Sequence, residues 1–161
     1  MIICEIGLNH MGSIKYANEY IDKIIKSKAD GILFHIREKS FYDTHPKLLL
    51  PDKFYVEAIK KVKKYNVKFG VTLADPNKVE FCEKLGVGFY KIFSRDILDY
   101  EILTKIKSTK KRTFVSTGMS DLNEIKKFGN MIKNEVKQFT LIHTQLDNNI
   151  EKVNLKAILL L

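Results

Sequence analysis

Short runs rich in β-branched and aromatic residues alternate with longer stretches in which apolar residues return every three or four positions. The runs Ile2–Ile6, Gly31–Ile36, Lys68–Leu73, Gly88–Ile92, Thr113–Ser116 and Gln138–His143 read as strands. Between them the period is helical. Ile14, Ala17, Ile21, Ile24 and Ile25 share one face of the first intervening segment. Tyr55, Ala58, Ile59 and Val62 do the same in a second, and Leu122, Ile125, Phe128 and Ile132 in another. The punctuation agrees with this division. Ser13, Asp52, Asp75, Asp99 and Asp121 stand where side chains cap helix N-termini, and Asp121 with Glu124 has the spacing of a capping box. Pro76 suits a first helical position, and Gly86 a helix C-terminus. Glu38–Pro51 has no period and reads as a loop, with Pro46 and Pro51 set against helix.

Six strand–helix units imply an α/β fold with a parallel sheet and right-handed crossovers. Eight such units close a (β/α)8 TIM-type barrel of about 250 residues, so the 161 residues account for about six units of one. The whole of 1–161 is expected to be the N-terminal part of such a barrel. The chain closes on the apolar stretch Val153–Leu161, which looks like a barrel interrupted after its sixth unit. Two open sheet edges would make it marginal alone, so a homodimer or a complementing fragment is expected.

Composition narrows the class. Lys and Arg outnumber Asp and Glu by 28 to 19, a net charge of +9. Such a balance invites a nucleic-acid reading, but the arginines are only Arg37, Arg95 and Arg112. Lysines such as Lys60, Lys61, Lys63 and Lys64 fall on polar helix faces. No aromatic–basic stacking motif accompanies them, so no nucleic-acid partner is expected. Apolar runs fall short of the ~20 residues that span a bilayer, and no membrane partner is expected either. The start has no basic leader pattern, and Cys4 and Cys82 lack metal spacing; a reducing cytoplasm is the expected compartment.

The chemistry-bearing residues gather where strands end, the face on which parallel α/β folds build their sites. Glu5, Asn9 and His10 follow the first strand, His35 and Arg37 the second, and Thr72 and Asp75 the third. Lys91, Ser94, Arg95 and Asp96 follow the fourth, Ser116 and Thr117 the fifth, and His143, Thr144 and Gln145 the sixth. Each has a plain structural alternative. Glu5, inside an apolar strand, is either a mouth carboxylate or the partner of a nearby lysine. Lys91 is either an anion ligand or half of an ion pair. Ser94 and Ser116 also serve as turn formers, and Asp96 as a cap. His143 reads more readily as a hydrogen-bonded structural histidine than as a ligand, and His10 and His35 carry weaker signals still. No metal-binding histidine spacing occurs.

Glu5-Ile-Gly-Leu-Asn-His-Met-Gly12, Tyr90-Lys-Ile-Phe-Ser-Arg-Asp-Ile97, Ser116-Thr-Gly-Met119 and His143-Thr144 with Val153–Ile158 occur in order along the chain. Together they resemble the sialic acid synthase family. The resemblance implies a (β/α)8 barrel, usually followed by an antifreeze-like domain that these residues do not include. It implies condensation of phosphoenolpyruvate with an N-acetylated aminosugar to a nonulosonic acid and phosphate. It also implies a divalent metal, Mn2+ or Mg2+, whose ligands lie on strands beyond this sequence. Carried over residue by residue, Lys91, Ser94 and Ser116 would hold the phosphate, with Thr72 assisting. Glu5 would act catalytically at the reacting centre, as would Asp96, which stands in the place of a family glutamate. The departures are Leu33 and His35, where the family has a lysine and a glutamine, and Arg95, where it has a glycine. Whether the chain is an enzyme is therefore open: a catalytically inactive remnant or an anion-binding module of the same fold is the alternative.

Overall fold

Six strands alternate with helices in the computed structural model, which describes residues 1–146 and 149–160. The chain divides into two units, Met1–Tyr90 and Lys91–Leu161, with the boundary inside the fourth strand.

The first unit begins with β1 (Ile3–Gly7), α1 (Ile14–Ser27) and β2 (Gly31–Ile36). It continues through α2 (Lys39–Thr44), α3 (Asp52–Lys63), β3 (Lys68–Leu73) and α4 (Val79–Leu85) to the first residues of β4 (Phe89–Ile92). β2 pairs in parallel with β1 on one side and β3 on the other. The β2–β3 register is unbroken from Gly31↔Lys68 to Ile36↔Leu73. The β1–β2 register slips between Glu5 and Gly7, so that Glu5 lies opposite Leu33 but Gly7 opposite Phe34. One side of β2 builds the core: the Phe34 ring stacks on Phe69 at 5.4 Å and meets Phe54 and Tyr55 edge-on. All four rings are buried, and each contributes about 1.5–3 kcal/mol by leaving water. Ala17, Ile21 and Ile24 of α1 are buried as their spacing predicts.

Two local expectations need correction. The segment 38–51 is not all loop, because it contains α2 and a single 3-10 turn, Pro46–Leu48. Asp52 does not cap α3. Pro51 occupies the boundary position, Asp52 is the first helical residue, and its carboxylate receives Lys78 at 3.0 Å. The other caps hold: Ser13 accepts from the Tyr16 N–H, and Asp75 from the Asn77 N–H at the head of a 3-10 turn. Gly86 ends α4 in the left-handed conformation.

The second unit contains the last residues of β4, then α5 (Tyr100–Ser108), β5 (Thr113–Ser116), α6 (Leu122–Met131) and β6 (Phe139–Ile142). β5 and β6 are parallel, in register from Thr113↔Phe139 to Ser116↔Ile142. Asp121 and Glu124 close a full capping box at the head of α6. Ile102, Leu103 and Ile106 of α5 are buried, as are Val115 and the edge-on ring pair Phe128–Phe139. Gln138 ties β6 to α5 by donating to the Ile106 carbonyl at 3.0 Å. Among the described residues no helix is long and apolar enough to cross a membrane.

Candidate functional site

In the first unit, Glu5 and Thr72 are joined by a residue that carries only a weak signal in the sequence. His35 Nε2 lies 2.7 Å from Glu5 Oε1. His35 is also the register partner of Thr72 across β2 and β3. The three side chains thus belong to the C-terminal ends of three adjacent parallel strands. The sequence offers a nearby lysine as the structural alternative for Glu5, and the structure places His35 against it. Thr72 is completely buried, and its hydroxyl has no hydrogen-bond partner among the described residues. A buried hydroxyl left in that state costs about 1–3 kcal/mol, so Thr72 retains bonding capacity for a ligand.

His10 is the second histidine of this region, 1% exposed. Its Nδ1 accepts the Gly12 N–H at 2.9 Å. An imidazole nitrogen that accepts is unprotonated, so the ring proton of neutral His10 sits on Nε2. Burial, and secondarily the charge on His35, lower its pKa from 6.5 to about 4. His10 is therefore a neutral, fixed tautomer at neutral pH. A cavity of about 780 Å³ opens at the ends of β2 and β3, with Ile36, Arg37, Tyr42, Leu50, Tyr55 and Lys78 among its lining. Its charged rim is internally matched, with Lys39 on Asp43 at 3.1 Å and Lys78 on Asp52 at 3.0 Å.

The second unit carries Lys91, Ser94, Asp96 and Ser116. Lys91 is half-buried in β4. Ser94 opens a 3-10 turn, Ser94–Asp96, directly after that strand, and its carbonyl accepts the Ser120 hydroxyl at 3.4 Å. Ser94 and Ser116 are both buried. Asp96 is engaged by Arg95, whose Nε stands 3.3 Å from Oδ1. The Ser116-Thr-Gly-Met119 turn is clamped to the end of β6. Thr117 donates through both its N–H and its hydroxyl to the Ile142 carbonyl, and the Gly118 N–H donates to Thr144 Oγ1 at 2.7 Å. The turn that presents Ser116 is thus held by one backbone bond and two threonine hydroxyls.

The divalent metal implied by the resemblance finds no fitting donor set among the described residues. Among the described residues no three His, Cys, Asp or Glu side chains gather to hold an ion. Glu5 and His35 are committed to each other, and His10 Nδ1 to Gly12.

The sequence pattern of the NeuB family matches residues 4–161. An uncharacterised protein of Methanocaldococcus jannaschii, MJ1065, is 33% identical over 168 residues, covering 98% of this chain and 50% of that one. The N,N'-diacetyllegionaminic acid synthase of Campylobacter jejuni is 31% identical over 184 residues, covering 98% and 55% respectively. Among solved structures, the N-acetylneuraminic acid (sialic acid) synthetase of Leptospira borgpetersenii superposes with a TM-score of 0.89 at 25% identity. That match covers 99% of this chain and 59% of the synthetase. The chain spans about half the length of the relatives it matches. The fold class is α/β with about six units of a TIM-type barrel.

Proposed function

This chain belongs to the NeuB family of sialic acid synthase-like proteins, and from that premise we propose that it serves a phosphoenolpyruvate-condensing synthase. The substrates are phosphoenolpyruvate and an N-acetylated aminosugar, and the products a nonulosonic acid and phosphate. The observation that carries the reading is the ordered arrival of Lys91, Ser94 and Ser116 at strand ends within one unit. One ammonium and two hydroxyls make a donor set for a phosphate, and all its members sit on or directly after strands rather than on mobile loops.

In the reaction the enol carbon of phosphoenolpyruvate forms a bond to the sugar aldehyde carbon, whose oxygen takes a proton. Water adds to the former enol C2 and loses a proton. The bond from C2 to the phosphate oxygen then breaks as the new C2 hydroxyl becomes the ketone, and phosphate leaves with the electron pair and takes up the hydroxyl proton. Within the second unit Lys91, Ser94 and Ser116 bind and orient the phosphate; in the first unit the resemblance assigns Thr72 a supporting hydroxyl and Glu5 the proton transfer. Asp96, engaged by Arg95, is the second acid of the set.

Phosphate release from phosphoenolpyruvate, measured with and without an N-acetylated aminosugar and with Mn2+ added or withheld, tests the assignment. Sugar-dependent release supports it, and release no faster than from phosphoenolpyruvate alone rejects it. One observation favours the second reading, an anion-binding module without catalysis. Leu33 is buried at 3% exposure, where the resemblance expects a carboxylate-binding lysine. In that case phosphoenolpyruvate binds but does not turn over.

A further inference from the structure

His35 and Glu5 are held together by backbone features that work against stability. Gly7 adopts φ +56, in the left-handed region that disfavours side chains, and a Cβ there would lie 3.1 Å from His35 Cε1 and 3.3 Å from Nε2. The imidazole therefore lies against bare backbone of β1. The register between β1 and β2 slips at the same place, between Glu5 and Gly7. Bulges of this kind re-aim a side chain at a strand's end, and they concentrate beside active sites.

The return in stability is small. The two side chains are 18% and 39% exposed, and a pair so open to water contributes about 0–1 kcal/mol. A glycine within a strand costs a comparable amount (roughly 0.5–1 kcal/mol). A local arrangement that breaks strand rules without a stability gain is the mark of a site built for something else.

We propose that His35 is a positioning residue for Glu5, and that the two form one proton-handling unit at the mouth of the first three strands. With Glu5 ionised, the carboxylate only accepts, so His35 Nε2 carries the proton and donates it to Oε1. That bond fixes the carboxylate's rotamer. It also lets the imidazole stabilise the charge on Glu5 before proton transfer and release it afterwards. The chemistry served is the exchange of one proton between attacking water and the new alkoxide. The water's first proton goes to the alkoxide, and its second goes to the departing phosphate as the C2 hydroxyl becomes the ketone. This role rests on the proposed condensation, whereas the pair itself rests on geometry alone.

Two measurements on the full chain separate these. The first is the imidazole 15N spectrum of the wild type and of Glu5→Ala at pH 8. The expected result is a single His35 tautomer protonated at Nε2 in the wild type, lost to an exchanging average in Glu5→Ala. An unchanged His35 signal in the variant overturns the pair, whether or not any protein turns over. The second is steady-state phosphate release. His35→Ala is expected to lower kcat by about 10- to 100-fold with the phosphoenolpyruvate KM nearly unchanged, the effect of a misplaced catalytic group. His35→Gln, whose amide donates an N–H to the same oxygen, is expected to restore most of that loss. A merely structural histidine would move the melting temperature without this split. Equal kcat in wild type and His35→Ala, or no rescue by glutamine, overturns the positioning role. If the wild type releases no phosphate while Glu5→Ala still loses the tautomer, the pair stands and the condensation assignment falls.

Discussion

The ring of Phe89 occupies the space that a side chain on residue 70 would need: a Cβ at Gly70 would stand 2.2 Å from Phe89 Cε2 and 2.3 Å from Cζ. Phe89 also lies against Gly31, 3.1 Å from where its Cβ would be. The two glycines of β2 and β3 together make a slot for one aromatic ring from β4. Gly70→Ala is therefore expected to destabilise the fold by about 1–3 kcal/mol, the usual cost of overpacking a filled core. Urea denaturation of Gly70→Ala and of Gly70→Ala/Phe89→Leu checks this. The double variant should be more stable than the sum of the two single changes, and strict additivity would contradict the slot.

The capping box at α6 has a simple signature. Asp121 accepts the Glu124 N–H at 2.8 Å, and Glu124 returns a bond to the Asp121 N–H at 3.0 Å. Asp121→Ala should cost about 1 kcal/mol and Asp121→Ser much less, because serine still accepts from the backbone. Thermal melts of the two variants should rank in that order.

His10 gives the fold a defined acid sensitivity. Its folded pKa, lowered to about 4, lies below the 6.5 of an unfolded histidine. Between those values the unfolded chain binds a proton that the folded chain refuses, so stability falls as pH drops through 6.5 and the loss levels off near 4. From pH 7.5 to 5.5 the contribution amounts to about 1 kcal/mol. His10→Asn keeps an acceptor for the Gly12 N–H and removes the titrating ring, so its stability should lose that much less over the same interval. Parallel slopes for the two proteins would contradict the assignment.

Lys91 decides whether the strand-end donors form a phosphate site. Lys91→Ala should weaken phosphoenolpyruvate binding by about 10- to 100-fold, the scale of a lost charge-assisted hydrogen bond. Ser94→Ala should weaken it less. Calorimetric titration reads both, and an unaltered affinity in Lys91→Ala would make the lysine structural.

The strands, their parallel order and most helix ends were legible because their signals are local. Ser13, Asp99 and Asp121 cap where short polar residues precede an apolar period, and Gly86 stops α4 where a left-handed residue is needed. α2 was not legible, since its six residues carry no apolar stripe. What accompanies it is contact with the residue two places before it: Arg37 lies 4.0 Å above the Phe41 ring, and its backbone N–H donates to Tyr42. The Asp52 cap was misread because Pro51 fixes the boundary one residue earlier. At the candidate site, residue types and strand-end positions could be read from the chain. The partner of Glu5 could not, because His35 lies thirty positions away. It stands diagonally across from the carboxylate, two residues beyond Leu33, the register partner of Glu5, and no spacing rule encodes that contact.

The central claim is that this chain serves a carbon–carbon bond-forming condensation. Mass spectrometry of the products formed from phosphoenolpyruvate labelled with 13C at C3 and an N-acetylated hexosamine tests it most directly. The account predicts a nine-carbon keto acid carrying the label, formed in step with phosphate. Labelled phosphoenolpyruvate recovered intact, or converted only to pyruvate and phosphate, would contradict it.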